Sequence, residues 1–177
     1  LEQSRFDNRE GAVEVGYHPA DPMKVEQELG RRTNLVVDSL KDWAEQSRSL
    51  VLIYPVPEQG FHVHRRLAAI RPLPRSVDAL PVLSTSLSVY KERTQTTFDA
   101  FDKVTGDRIR RVYPDRLFCS EEIGRCIASD RDEIFFASDN HVSKLGAEKI
   151  AIEVAAALDD LDSQARSDIG KKVGGQQ

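Results

Sequence analysis

No stretch of this chain approaches the roughly 20 consecutive apolar residues that a membrane-spanning helix needs, and its longest apolar runs are core-sized. An excess of positive charge is also missing. Lys and Arg number 25 against 29 Asp and Glu, for a formal net charge of -4. A nucleic-acid binder needs a basic surface to meet phosphates, so this balance argues against that class of partner. Cysteine is scarce: Cys119 and Cys126 are the whole supply. A zinc site needs four ligands, and no second Cys or His pair lies nearby in sequence. The opening Leu1-Glu2-Gln3-Ser4 has no basic segment followed by an apolar run, so no signal peptide is expected there. It does not begin with Met, as expected of a processed product, an excised domain or an incomplete reading frame. Internal repeats and low-complexity tracts are absent too.

What is present reads as a globular protein. Apolar residues make up 40% and charged residues 31%, and 177 residues suffice for one domain with a sizeable core. Residues 1–22 are polar and turn-rich, with a short extended piece expected at Ala12–Val15. Asp21-Pro22 has the form of a helix start, because Asp caps and Pro suits the first helical position. From there to about Arg48, Val25, Leu29, Val36, Leu40 and Trp43 recur at intervals that fit one helical face. Leu50-Val51-Leu52-Ile53-Tyr54 is then a continuous apolar run closed by Pro55-Val56-Pro57. A short run without alternation predicts a strand buried on both faces, hence a parallel sheet covered by helices. Helix followed by buried strand is half of a β-α-β repeat.

Further along, Phe61–Ile70 reads as a short helix, and Pro72, Pro74 and Pro81 mark a loop. Ser84–Val104 reads as a second long helix, with Leu87, Tyr90, Phe98 and Phe101 near one face and Ser84, Ser86 and Ser88 as N-capping residues at its start. Gly106-Asp107 makes a turn before a strand at Ile109–Tyr113, which Pro114 stops. Ile134-Phe135-Phe136 is a very short strand. A last helix, from about Val142 to Leu161, carries the apolar stripe Ala147, Ile150, Ala151, Val154, Leu158 and Leu161. This gives a domain over 1–162 and a flexible polar tail over 163–177.

The chemistry concentrates in Ser138-Asp139-Asn140-His141-Val142-Ser143-Lys144-Leu145-Gly146-Ala147. His141 sits between a short apolar strand and the N-terminus of an amphipathic helix. In an open α/β sheet that edge is where ligands bind, so a histidine there can meet a group from another loop. On its own, such a histidine reads more readily as a capping or surface residue. His62-Val63-His64 would put two imidazoles on one face of a strand, but no third ligand is evident, so no metal is assigned. Glu58, just past a buried strand, stands near the rim of such a site, with turn stabilisation as its other reading. Arg65-Arg66 and the Arg108-Arg110-Arg111 group read as solvated faces. The spacing Cys-Ser-Glu-Glu-Ile-Gly-Arg-Cys leaves a small disulfide loop and two reduced thiols both open.

The block ending in His141-Val142-Ser143-Lys144-Leu145-Gly146-Ala147 resembles the last signature block of SGNH hydrolases, Asp-x-x-His-Leu-Ser-x-x-Gly-Ala. Pro55-Val56-Pro57-Glu58-Gln59-Gly60-Phe61 resembles a stretch typical of SGNH domains fused to integral-membrane acyltransferases that O-acylate cell-envelope polysaccharides. Phe6–Glu14, the Cys119/Cys126 loop and Tyr90-x-x-Arg93, taken as structural, also fit that subgroup, so the resemblance covers roughly residues 1–160. It implies an α/β, three-layer flavodoxin-like fold, represented here by its C-terminal part. It also implies serine-centred acyl transfer with no cofactor, between an acyl donor and a carbohydrate acceptor, at the extracytoplasmic face of a bacterial membrane. In that chemistry a serine from an early Gly-Asp-Ser block attacks, the histidine takes its proton, and an aspartate three residues before the histidine fixes the ring. His141 matches the base.

Two departures stand out. The chain contains no Gly-Asp-Ser block, so no nucleophile is assigned within it, and the position three before His141 is Ser138. Asp139, next door, is the candidate partial substitute for the missing carboxylate. The expectation is therefore a domain fragment that is inactive alone and completed by a missing N-terminal region with a membrane acyltransferase domain. The alternatives are a free-standing SGNH esterase and a non-catalytic carbohydrate-binding or interaction domain.

Overall fold

The computed structural model describes residues 22–46, 49–70 and 81–174. The turn-rich start with its Ala12–Val15 piece, the Phe6–Glu14 stretch, the Pro72–Pro74 segment and the last three residues lie outside the described residues. Helix α1 (Pro22–Glu45) leads into strand β1 (Leu50–Ile53), and the short helix α2 (Val63–Ala68) follows. Strand β2 (Leu83–Ser86) runs directly into helix α3 (Leu87–Asp102), and strand β3 (Ile109–Val112) comes next. One-turn helix α4 (Asp115–Phe118), strands β4 (Cys119–Ser120), β5 (Arg125–Asp130) and β6 (Glu133–Ile134), and helix α5 (Lys144–Gly174) complete the order.

β1 and β3 pair in parallel, Leu50 opposite Ile109 and Ile53 opposite Val112. Side chains alternate across a strand, so each strand offers one row to either side. Leu52, Tyr54 and Ile109 pack with Val37 of α1 and Ala100 and Val104 at α3 in one buried cluster. On the other face, Arg110 reaches α5, where it pairs with Asp160 and donates to Gln164 Oε1 at 2.7 Å. Helices thus cover both faces of the parallel pair, giving the three-layer α/β arrangement that the apolar run at Leu50–Tyr54 implied. The coverage is uneven, because Ile53 is 46% exposed.

A second sheet is antiparallel, in the order β2-β5-β4, with β6 also on β5. It packs Leu83, Ala128, Phe118, Phe135 and Phe136 against Val63 of α2 and the start of α5. Cys119 and Cys126 face each other across β4 and β5 and are joined by a disulfide.

Several expectations need correction. Ser84 and Ser86 are not in a helix start but in β2. Ser84 is buried and accepts the Arg125 guanidinium at 2.8 Å. Ser86, at the N-cap of α3, makes no side-chain cap bond, and its hydroxyl lies 2.8 Å from that of Ser88 instead. The α1 face is turned by one residue. Val37 is buried and Leu40 and Ala44 pack beside it, whereas Val36 and Trp43 are exposed. The α5 stripe is only partly covered, with Leu161 buried but Leu158 exposed. That helix also continues through residues 163–174, beyond the expected end near Leu161. Ser163-Gln164-Ala165-Arg166 contains no helix breaker, and Arg110 holds Gln164 from the sheet, so nothing stops the helix at Asp162.

Candidate active site

The His141 loop is tied at both ends. Phe136 and Val142 form an antiparallel bridge, and the amides of Ala137 and Ser138 both donate to the His141 carbonyl, at 2.8 and 3.3 Å. After the bridge, Ser143 starts α5. Its hydroxyl accepts from the Gly146 amide at 3.1 Å and donates to the Ile134 carbonyl, while its own amide donates to the Phe135 carbonyl at 2.8 Å. A Cβ on Gly146 would stand 2.2 Å from that same carbonyl oxygen, so only glycine lets the first turn of α5 sit this close to Phe135. In the His-Val-Ser-Lys-Leu-Gly motif, Ser143 and Gly146 are therefore structural. They anchor the helix two residues beyond the histidine.

His141 is exposed, and its Nδ1 lies 3.0 Å from Ser138 Oγ. A hydroxyl has one proton and two lone pairs. The His141 backbone N–H, at 3.2 Å, occupies one lone pair, and the proton has two acceptors within reach, Asn140 Oδ1 at 3.4 Å and His141 Nδ1 at 3.0 Å. With the hydroxyl donating to Asn140, the remaining lone pair accepts from Nδ1–H; with it donating to Nδ1, the ring carries its own proton on Nε2. The first arrangement leaves the ring's free lone pair on Nε2, the tautomer a general base requires. Ser138 Oγ thus meets the ring from three residues before it, the spacing of the family's orienting aspartate. A neutral hydroxyl can serve either tautomer, and it supplies no charge to balance an imidazolium.

Asp139 does something else. Its carboxylate lies 3.8 Å from His62 Nδ1, and its carbonyl accepts the Gln59 amide at 2.7 Å. The structure brings Asp139 to the Pro55–His62 loop rather than to the His141 ring, as expected when a one-residue shift turns a side chain elsewhere. Glu58 is exposed and lies 3.7 Å from Arg93. The Tyr90 hydroxyl donates to the Pro55 carbonyl at 2.8 Å. Burial, with the nearby Asp115 charge, pushes the Tyr90 phenol up, so it stays a protonated donor. Tyr90-x-x-Arg93 therefore fastens the loop after β1 to α3. His62 and His64 stand at the N-cap and second residue of α2, not on a strand, so their imidazoles do not share a face. Among the described residues no group of three potential metal ligands occurs.

A family model described as SGNH domain (fused to AT3 domains) matches residues 4–156. The chain belongs to that family. Comparison with curated proteins and with solved structures finds no match. As an SGNH domain of this kind, it has an α/β fold and is tied to acyl-group transfer on carbohydrates and to a membrane acyltransferase partner region. No helix among the described residues is long and apolar enough to cross a membrane. Two residues that the fold brings to the His141 loop are not evident as such from residue types alone. Ser138 looks like a loss in the sequence, although its spacing from His141 matches the family aspartate. Gln59 carries no signal, because nothing in a polar side chain beside a glycine announces burial.

Proposed function

We propose that this SGNH domain supplies the general-base half of a serine acyl-transfer site and acts on carbohydrate O-acyl groups, with O-acetylation of an envelope polysaccharide as the reaction. His141 is the base, Ser138 its tautomer-fixing partner, and the serine block comes from a region joined to this one in the intact parent. The observation that carries the reading is the 3.0 Å contact between Ser138 Oγ and His141 Nδ1, which leaves Nε2 available when the hydroxyl accepts from Nδ1–H. The disulfide Cys119–Cys126 supports an extracytoplasmic location, since such bonds persist in oxidising compartments. The chain alone is inactive, because its sequence contains no Gly-Asp-Ser block, and among the described residues no serine stands in a strand-turn-helix elbow with glycines.

The test has two arms. A serine-reactive fluorophosphonate probe is expected to leave this chain unlabelled; labelling would contradict the assignment of the nucleophile elsewhere. A longer protein that includes the upstream region is expected to turn over an acetyl ester, faster by about ten-fold or more with Ser138→Asp. Loss of an orienting carboxylate in the serine-protease example of the same chemistry costs on the order of 10⁴ in kcat, which bounds that gain. The serine at 138 favours a second reading, a non-catalytic carbohydrate-binding domain. Absence of turnover even with Ser138→Asp would select it. An upstream region that lacks membrane spans would select a free-standing esterase.

A further inference from the structure

Gln59 is fully buried in the loop that follows β1. Its Nε2 donates to the carbonyl of Pro57 at 2.8 Å, folding the side chain back on its own turn. Gly60, at φ +70°, completes that turn in a conformation glycine adopts without strain. The amide oxygen Oε1 is buried and has no partner among the described residues. A buried acceptor left unpaired is costly, and what offsets it is the bond from Nε2 to the carbonyl of buried Pro57, which an apolar side chain of the same length would leave unpaired. Packing alone therefore does not account for a glutamine here. The turn has one outward product: the Gln59 backbone amide is aimed at the Asp139 carbonyl, 2.7 Å away. Asp139 lies between Ser138 and His141, the two residues whose side chains meet. On the same side, His62 Nδ1 stands 3.8 Å from the Asp139 carboxylate, and the far end of the loop is fixed to α3 through Pro55.

We infer that Gln59 is a positioning residue for His141, locking the Pro57–Gly60 turn so that its amide holds the Asp139 carbonyl and aims the imidazole at Ser138. This rests on the reading of His141 as the base. It adds a buried residue, remote from the ring, that sets the ring's tautomer. Gln59→Met keeps the length of the side chain and removes both the bond to Pro57 and the orphaned oxygen.

The experiment is a ring-nitrogen NMR spectrum of the 177-residue chain, with His141 assigned by its loss in His141→Asn. In the unaltered chain the Nδ1–H tautomer is expected to dominate at His141. In Gln59→Met its ratio to the other tautomer falls about two- to ten-fold, the equivalent of one net hydrogen bond, while the melting temperature stays close to the parent's, because one unpaired buried oxygen is exchanged for another. A folded Gln59→Met chain with an unchanged ratio would overturn the inference. Hydrogen exchange of the Gln59 amide in the unaltered chain is a second measurement that does not depend on the variant folding. Protection comparable to amides inside α5 is expected, and exchange at the rate of an open loop overturns the proposal. Neither measurement involves acyl transfer, so a failure here is distinct from a failure of the turnover assay.

Discussion

At the scale of single residues, the site is built from short polar side chains that satisfy the backbone first and the chemistry second. Ser138 meets the His141 amide as well as its ring, and Ser143 caps α5 as well as tying it to Ile134. Gly146 is the position with least room. Gly146→Ala would force a Cβ against a backbone carbonyl that cannot swing away, and overpacking of this sort costs about 1–3 kcal/mol or more. The expected outcome is a urea midpoint lowered accordingly; an unchanged midpoint would mean that α5 slides on Phe135 freely. Asp115 gives a residue-scale prediction in pH. One of its carboxylate oxygens is buried without a partner among the described residues, and burial raises its pKa above the ordinary carboxylate value. A raised native value means the folded chain holds the proton more tightly than the unfolded one, so the ionised form costs stability. That cost is absent well below the ordinary value of about 3.9. It grows as pH rises through the ordinary value toward the raised one and is complete above it. Asp115→Asn is therefore expected to be more stable than the parent at pH 7 and to converge with it in acid. Denaturation midpoints followed across that range would show the gap closing; a constant gap would assign the effect to something other than titration.

At the scale of elements, legibility in the sequence followed how local the determining forces were. β1 was readable because a short apolar run stopped by proline has few other destinations, β3 because the Gly106-Asp107 turn and Pro114 bracket it, and α5 from its periodic stripe. β2 was not, since Leu83-Ser84-Thr85-Ser86 looks like a capped helix start. Its strand conformation comes from pairing with β5, some 40 residues later, and from the Arg125 guanidinium on Ser84. The β4–β5 hairpin was hidden for a related reason: its turn at Gly124 and its cross-strand cysteines need a partner strand to acquire meaning. Within the site, His141 and the structural roles of Tyr90 and Arg93 came from the motif. The link from Gln59 to Asp139 is a backbone contact between distant loops, and side-chain identity does not encode it. The hairpin also yields a prediction. Closing a loop over a sequence separation of 7 removes denatured-state entropy worth about 2–3 kcal/mol in the chain-entropy model. Replacing both Cys119 and Cys126 with Ala is expected to lower stability by about that amount in thermal or urea unfolding. The same melt with and without dithiothreitol should show the loss in the parent alone.

At the scale of the whole molecule, the parallel pair β1–β3 is the weak member. Parallel strands are stable when buried on both faces and flanked by further strands. Here α1 and α3 cover one face fully and α5 covers the other in part, leaving Ile53 46% and Leu158 49% exposed. Among the described residues β1 pairs with β3 alone, so one row of its amides and carbonyls has no strand beside it. An apolar strand edge of that kind is a template for pairing with another chain. If the intact parent supplies neighbouring strands along with the serine block, this chain by itself should self-associate as its concentration rises. Ile53→Lys places a charge at that edge without burying it, and surface changes of this kind usually alter stability by no more than about 0.5 kcal/mol. The variant is therefore expected to shift sedimentation toward the monomer while melting close to the parent. A parent chain that stays a monodisperse, cooperatively unfolding monomer at high concentration would count against a shared domain. It would mean that the three layers described here close on themselves, and that the missing nucleophile has to be sought on a separate partner instead of along the open edge of β1.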